Sequence, residues 1–354
     1  MTITTTTEIA GPVNNVFQQV LLRNAKPVCA HFLLSEEGSG SVGPHDGTLT
    51  VKWRRIENLT PTTTALTALT STESYPFRQG IQPSVTDLTA TVSKYGQVIS
   101  LNEEVDLTNY NGQTAKLIEI LGISAGRSVN RLQRNVLEDG VTLIYASGGS
   151  ADGDVTDPIS LNLIREAQSV LEVNSALKDR PMTTGDDAHA TSPIGMAFAG
   201  ICHTHVKEDI RDIPGFIPVE KYAGQTQLYT NEFGMAGDIR WVSSEESSID
   251  TDSGGIPGQT VRSTSGTSAD LYTSIVLGRG AHGSVGLGVE HTKEVYLAGD
   301  PIPAIMMISK PRGSAGSMDP LEELSTLAWK AWHAGTMLNT TFARGLRTGA
   351  RKLL

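Results

Sequence analysis

The sequence has few cysteines and no long apolar runs, and both absences limit what kind of protein it can be. Only Cys29 and Cys202 occur among its 354 residues. Two cysteines so far apart do not make a disulfide framework, so we expect a reducing compartment. No apolar stretch approaches the roughly 20 residues that span a bilayer, so we expect no membrane partner.

Positive charge is also in short supply. The chain carries 28 Lys and Arg against 38 Asp and Glu, a formal net charge of −10. Bulk attraction to nucleic acid is therefore not expected, although local basic patches are compatible with this balance. One such patch is "FARGLRTGARKLL", where Arg344, Arg347, Arg351 and Lys352 occur without an acidic residue. This run predicts either a phosphate contact or a solvated terminus.

Motifs of catalysis and nucleotide binding are missing as well. No G-x-S-x-G nucleophile elbow occurs, and neither cysteine has a clear histidine and carboxylate partnership. The stretch "KPRGSAGSMDPL" has the glycines of a phosphate loop, but Lys310 precedes Gly313 and Gly316 instead of following them. Its two prolines favour a turn-rich connection between two elements. We therefore expect no enzyme activity and no cofactor.

Two short motifs keep a metal site under consideration. "CHTH" places His203 and His205 two residues apart at the end of an apolar strand, as several metal-dependent hydrolases do. The alternative is a pair of histidines in a strand-to-helix turn. Asp250 and Asp252 in "IDTDSGG" resemble the start of a calcium loop, but the twelfth position is Val261 instead of glutamate. We expect a solvated loop there, with weak calcium binding left open.

What the sequence does contain is a distinctive order of elements. The amphipathic stretch "VNNVFQQVLLRNAKP" predicts an arm with a short helix that docks on another surface. "TLTVKWRRIENL" and "TDLTATVSKYGQVISL" alternate apolar and polar residues, which predicts two strands. The Thr-, Pro- and Gly-rich span between these strands is long and poor in core residues, so we expect a protruding hairpin.

Helices are predicted in the middle of the chain. Residues 113–145 carry apolar side chains on one stripe and several arginines on the opposite one, which predicts a helix of roughly eight or nine turns. A second helix is expected after it, with Ser160 as its N-cap and Asn174 near its end. "IGMAFAGICHTHVKEDIRDIPGF" then predicts a buried strand, a turn and a short helix. From Leu321 onward, periodicity does not separate helix from strand.

Several stretches together resemble one known family. They follow the order of the tailed-bacteriophage major capsid family typified by podovirus N-four, and they are "VLLRNAKPV", "LTVKWRRIENLTPTTTALTALT", "TATVSKYGQVISLNEEVDLT", "LIYASGG" and "KPRGSAGSMDPLEELSTLAWKAW". They cover nearly the whole chain, and their collinearity carries the resemblance. "AFAGICHTHVKEDIRD" is also similar to the family, with His203 at the family's histidine but Thr204 where proline is usual.

The resemblance implies an α+β chain with the Hong Kong-type fold of tailed-phage major capsid proteins. Its expected parts are an N-terminal arm (1–42), an extended E-loop hairpin with flanking strands (43–105), a peripheral domain with a long spine helix (106–192), an axial domain (193–300), and a return strand with a C-terminal segment that joins the peripheral domain (301–354). Within the last part, the "KPRGSAGSMDPL" stretch is implied to be a structural connector.

The implied function is that of a head protein. Copies of the chain would assemble as hexamers and pentamers into the icosahedral shell around double-stranded DNA, in a virion assembled in the host bacterial cytoplasm. Scaffolding, portal and decoration proteins are further expected partners. An encapsulin-like nanocompartment shell is one alternative, and a metal-dependent hydrolase is the less favoured one.

Seven charged residues are expected to make contacts between subunits. They lie on the predicted hairpin and on the predicted spine helix: Arg54, Arg55, Glu73, Arg78, Arg127, Arg131 and Arg134. For the three on the helix, a solvated face is the alternative.

Overall fold

The computed structural model describes most of the chain with several gaps. The described residues are 21, 23–25, 29–37, 49–57, 59–63, 65, 82–104, 113–179, 182–184, 191–222, 227–285, 305–314 and 319–352. In these residues the fold is α+β, as expected. The helices are α1 (Gln113–Gly140), α2 (Leu161–Val173) and α3 (Lys207–Arg211). The strands are β1 (Glu36–Glu37), β2 (Thr50–Ile56), β3 (Val85–Thr91), β4 (Ser93–Asn102), β5 (Thr142–Tyr145), β6 (Met182–Thr184), β7 (Thr191–Ile194), β8 (Phe198–His203), β9 (Ile217–Pro218), β10 (Glu232–Ala236), β11 (Ile239–Ser244), β12 (Ile249–Asp250), β13 (Leu271–Leu277), β14 (His282–Ser284), β15 (Ile305–Lys310), β16 (Leu324–His333), β17 (Gly335–Met337) and β18 (Ala343–Thr348).

The largest sheet contains eight of these strands. Its order is β5-β18-β13-β8-β11-β10-β9, and β12 pairs with the start of β13. Every residue of β8 and of β13 is buried. One face packs against α2 through residues such as Phe198 and Ile164, and the other packs against the end of α1 through Ile201 and Leu137. Burial on both faces explains why these strands read as continuous apolar runs.

The centre of this sheet depends on one close contact. Gly200 of β8 lies opposite Trp241 of β11 in a parallel pair. A Cβ atom on Gly200 would lie 2.6 Å from Cε3 of the indole, so only glycine leaves the ring enough room. Trp241 is fully buried, and its Nε1 donates to the Ala236 carbonyl at 3.4 Å.

A second core forms between α1 and the three-stranded sheet β15-β16-β4. It joins Leu121 and Val129 of the helix to Leu327 and Trp329 of β16. A helical segment that includes Leu21 and Ala25 crosses α1 in the same core. The surface on which this part of the arm docks is therefore the spine helix of the same chain. The crossing uses two glycines, because a Cβ on Gly122 or Gly126 would lie 2.6 Å from the carbonyl oxygen of Leu21 or Ala25.

The predicted hairpin is confirmed, but the prediction of a single strand over "TDLTATVSKYGQVISL" is wrong, because the stretch divides at Val92 into β3 and β4, and β4 pairs with β16. Strands β2 and β3 pair antiparallel from Thr50↔Thr91 to Ile56↔Val85. Most of the span between them lies outside the described residues. The ladder continues to Val92, whose N–H donates to the Leu49 carbonyl at 2.8 Å.

Other predictions have mixed outcomes. The second helix, its Ser160 cap and the short helix α3 are confirmed, as is the connector, which joins β15 to β16. The prediction that the spine helix continues to Tyr145 is wrong, since it ends at Gly140. The next residues, Val141 to Tyr145, are rich in β-branched side chains, and Thr142–Tyr145 form β5 against β18. The C-terminal stretch forms strands, and Leu327, Trp329, Ala331 and His333 are its alternate buried positions.

Candidate intersubunit surfaces

The β2–β3 hairpin has an inner face and an outer face. Val51 and Trp53 are buried on the inner face, where they pack with Val285 and Leu338. The outer face carries the opposite residues of each strand, because side chains alternate along a strand. Trp53 also lies closely over Gly283, where a Cβ would be 2.6 Å from its Nε1. The inner face therefore fixes the base of the hairpin to the main body.

The outer face combines an ion pair with an exposed apolar pair. Arg54 donates to Asp87 across the strands at 2.9 and 3.2 Å, which lowers the pKa of that carboxyl. The Arg54 side chain nevertheless stays 68% exposed. Ile56 and Val85 lie opposite each other one step further out, and they are 66% and 48% exposed. Exposed apolar side chains that lie next to each other form a small apolar patch, and such patches are typical of surfaces that contact another molecule.

The remaining hairpin residues expected at an interface have different positions. Arg55 points to the inner side, where it donates to the Leu338 carbonyl at 2.7 Å and pairs with Glu57. Glu73 and Arg78 lie outside the described residues. Of the four hairpin charges, Arg54 is thus the one that the structure shows on the outer face.

The three spine-helix arginines converge on one turn of the same chain. Arg127 lies 3.1 Å from Glu245 and 3.2 Å from Glu246, and Arg131 pairs with Glu246 as well. Arg134 donates to the Glu246 main-chain carbonyl at 2.8 Å. The turn between β11 and β12 therefore holds all three guanidinium groups, which ties α1 to the large sheet. Arg131 keeps 61% of its side chain exposed and retains donors for another partner.

The spine helix also presents an apolar surface that sequence periodicity did not reveal. Ile120 is 58% exposed, and Ile123, three residues later, is 39% exposed. Both lie off the buried stripe of α1. Large aliphatic residues off the apolar stripe of an amphipathic helix are the sequence signal that identifies such a patch.

His203 and His205 form a turn instead of the start of a metal site. The His205 N–H donates to His203 Nδ1 at 3.0 Å, and His205 Nδ1 lies 2.9 Å from the Tyr272 hydroxyl. Burial, then the neighbouring His205 and Arg262, lower the pKa of His203 to about 4. Among the residues that the structure describes, no group of three or more His, Cys, Asp or Glu could hold a metal ion. The strand-to-helix turn is confirmed here, and a hydrolase centre gains no support.

The two aspartates of the possible calcium loop have separate partners. Asp250 pairs with Arg347, while Asp252 accepts hydrogen bonds from the Ser265 N–H at 3.0 Å and its hydroxyl at 2.8 Å. These hydrogen bonds lower the pKa of the Asp252 carboxyl. The second aspartate therefore stabilises a turn of its own chain, and calcium binding at the pair stays a prediction.

Most of the basic C-terminal run is folded into the large sheet, and two of its arginines are paired within the chain. Arg347 in β18 holds Asp152 through two hydrogen bonds of 3.0 and 3.1 Å and donates to the Thr273 hydroxyl at 2.7 Å. Arg351 lies 2.6 Å from Asp212. The prediction of a solvated terminus is wrong for Arg344 and Arg347, because β18 lies inside the large sheet between β5 and β13. Arg351 and Lys352, after that strand, are exposed, and a phosphate contact there stays a prediction.

No helix in the described part of the chain is long and apolar enough to cross a membrane. No protein-family model matches the chain, and no curated protein matches it. Solved structures do match. The capsid of Ralstonia phage GP4 is similar with a TM-score of 0.64 at 10% identity, covering 92% of this chain and 89% of that chain.

Two further matches come from cyanophages. The capsid asymmetric unit of cyanophage Pam1 has a TM-score of 0.53 at 10% identity and covers 91% of this chain and 92% of that chain. The capsid structure of cyanophage P-SCSP1u has a TM-score of 0.52 at 9% identity and covers 89% of this chain and 86% of that chain. Membership of the podovirus N-four group stays a prediction. The protein has the fold of phage capsid proteins along nearly its whole length.

Proposed function

We propose that this chain is the major capsid protein of a tailed phage or related prophage. Copies self-assemble as hexamers and pentamers into a closed icosahedral shell around double-stranded DNA. The role is structural, without catalysis, and it places the protein in the virion capsid after assembly in the host bacterial cytoplasm. The observation that carries the proposal is the match of about nine tenths of the chain to phage capsids.

The surfaces of the chain fit this role. A shell subunit makes several separate interfaces at once, and each can be modest because contacts multiply around a closed assembly. The exposed Ile56–Val85 pair and the exposed Ile120 are apolar surfaces on two separate elements. An extended hairpin reaches a neighbouring subunit without a core of its own, which favours the division into arm, E-loop, peripheral domain and axial domain expected from the sequence.

The charged contacts belong to the same proposal. Arg54 and Arg131 remain more than half exposed after their partners within the chain are counted. A guanidinium has five donors, so one carboxylate does not exhaust it. Arg55, Arg127 and Arg134 take part through the turn or strand that they hold in place, and Glu73 and Arg78 complete the proposed set.

The shell contents and accessory proteins follow from charge and role. With a net charge of −10 the chain has little nonspecific affinity for phosphate, so DNA is enclosed without sequence-specific binding. Scaffolding, portal and decoration proteins are the additional partners that such a shell uses.

Electron microscopy of the purified full chain, with sedimentation velocity, tests the proposal. We expect rings of five and six subunits or closed shells. Arg54→Ala should fold normally but close fewer shells, while Arg165→Ala, which removes an exposed arginine of α2, should assemble like the wild type. Shells that are isolated from producing cells should protect double-stranded DNA from nuclease.

Three outcomes would contradict the proposal. Protein cargo in place of DNA would indicate the nanocompartment shell. Stoichiometric zinc, lost in His203→Ala together with a hydrolytic activity, would indicate the hydrolase. A monomer that never assembles, even when scaffold from the same genome is supplied, would exclude a shell role altogether.

A further inference from the structure

Three buried histidines lie where the end of the arm meets the main body, and we call them the histidine cluster. His31 lies in a short 3-10 turn, His282 in β14 and His333 at the end of β16. His31 and His282 are fully buried, and His333 is nearly so. β1, which follows the His31 turn, pairs with β14, and β14 pairs with β17. The cluster therefore joins segments that are far apart along the chain.

His31 fastens the arm to two other elements as a neutral ring. Its N–H and its Nδ1 both lie within hydrogen-bond distance of Asn130 Oδ1 on α1, at 2.9 and 3.1 Å. Since the amide oxygen can only accept, Nδ1 carries the proton. Nε2 then accepts from the Ser247 hydroxyl at 3.5 Å, in the turn after β11. The neutral tautomer satisfies both ring nitrogens, and a second proton would remove this acceptor.

The other two histidines are held less firmly. Neither ring nitrogen of His333 has a hydrogen-bond partner among the described residues, and the polar group beside the His282 ring is the main chain of His31. The His333 ring packs edge-on against Phe32 with centroids 5.8 Å apart. The side-chain oxygen and nitrogen of Gln133 are also buried without a partner in the described part. A charged imidazole at His333 would have neither water nor an acceptor close by among the described residues, and one at His282 would lose its hydration for a single main-chain neighbour.

The charged groups around the cluster also favour the neutral form of the buried rings. Arg134 on α1 and the ring of His31 are close enough that the cation lowers the pKa of the histidine. Arg134 in turn lies 3.6 Å from Glu138, and it donates to the Glu246 carbonyl. Burial raises the pKa of Glu138, so this carboxylate also loses its charge more readily in acid. From β14, the facing titratable group is His282 itself, which lies beside His31.

We infer that the histidine cluster is a proton-sensitive joint that releases residues 29–37 from α1 and β14 in mild acid. The inference goes beyond the shell role and does not depend on it. In the closed joint the three rings are neutral and sealed, whereas in the open joint they reach water and can take up protons. Proton uptake by the open state is what drives the release.

The direction of the pH effect follows from the pKa values. Burial, mainly, lowers the pKa of His31 and His333 to about 4 and that of His282 to about 3. An exposed histidine has a pKa of about 6.5. Above that pH both states are neutral and the joint is unaffected. Below it, each exposed histidine multiplies the opening equilibrium by up to about tenfold per pH unit, until the pKa of the closed state is reached.

Hydrogen–deuterium exchange of the full chain between pH 7.5 and pH 4.5 tests the inference, with exchange corrected for the intrinsic pH dependence. The readout is the opening equilibrium of peptides that cover 29–37, 126–137 and 282–285. We expect a slope of one to three protons per opening below about pH 6.5. The reference is α2, which contains no histidine, and its peptides should show no such slope.

Variants assign the slope to individual rings. His333→Phe removes titration without removing a hydrogen bond from the described residues, whereas His282→Leu also removes a contact with the main chain of His31. Each should lower the slope by about one proton. His205→Gln changes a histidine outside the cluster and should leave the slope unchanged. If a cluster variant does not fold, the wild-type protein still tests the inference, because the pH slope must occur in the peptides around the cluster and not in α2.

Two results would overturn the inference. One is an acid response of 29–37 that merely equals that of α2. The other is a slope that survives His282→Leu and His333→Phe but disappears in Glu138→Gln, since the carboxylate would then be the sensor.

Discussion

The large sheet and the β2–β3 hairpin show opposite ways of using a strand. In β13 every residue is buried. In β3 none is, and its residues alternate between exposed and half-buried. The sheet completes its packing within one chain, whereas the hairpin leaves its outer face without a cover. Stability of the subunit therefore resides in the sheet, and contact with other copies is the role that the hairpin geometry favours.

Charges follow the same division. Arg347 in the sheet is mostly buried and has Asp152, Asp250 and Thr273 as partners. Among the described residues, Arg54 in the hairpin pairs with Asp87 alone and stays exposed. Removing one partner of an exposed ion pair costs little, whereas removing the cation of a buried network leaves carboxylates without their counter-charge, so these two arginines separate folding from assembly.

The largest effect on folding is expected at the centre of the sheet. Trp241→Ala would remove a fully buried ring that packs over Gly200, and the cavity should lower the free energy of unfolding by about 3–5 kcal/mol. Urea unfolding followed by circular dichroism measures the loss. Trp332→Ala in β16 is the matched control, because this ring is only partly buried. An equal loss in both variants would break the contrast between the sheet and the periphery.

A smaller loss is expected at the buried arginine. Arg347→Met keeps much of the side-chain volume but leaves Asp152 and Asp250 without their cation. These carboxylates are partly exposed and recover water, so we expect a loss of about 1–2 kcal/mol in the same urea experiment. Arg54→Met should leave the unfolding midpoint unchanged. A larger effect of Arg54→Met than of Arg347→Met would show that the hairpin, not the sheet, limits stability.

Periodic features of the fold were predictable from the sequence alone. The alternation around Trp53 predicted β2, and Ser160 before an amphipathic run predicted the start of α2. The resemblance to a capsid family predicted the fold, which the structure matches confirm. Such signals lie within a window of about ten to twenty residues, where local spacing decides the structure.

Features that depend on distant residues were not predictable. The spine helix ends at Gly140 because the following residues pair with β18, about 200 positions later. Arg127 and Arg131 find Glu246 only after the chain has folded, so the sequence could not decide between a neighbour, solvent and the same chain. The exposed pair Ile56 and Val85 is likewise visible only once the register of the hairpin is known.

The smallest effect on folding, and the most informative one for assembly, is expected on the outer face of the hairpin. The double variant Ile56→Ser, Val85→Ser changes two side chains that water already reaches, so the free energy of unfolding should stay within about 0.5 kcal/mol of the wild type. Sedimentation velocity should nevertheless show fewer rings or shells, because a neighbouring copy would lose an apolar contact. Thr89→Ser on the same face is the control, since it removes one methyl group from a strand that keeps its apolar pair. Normal assembly of the double variant would mean that the uncovered face has no partner, and the contrast between a self-sufficient sheet and a partner-seeking hairpin would fail.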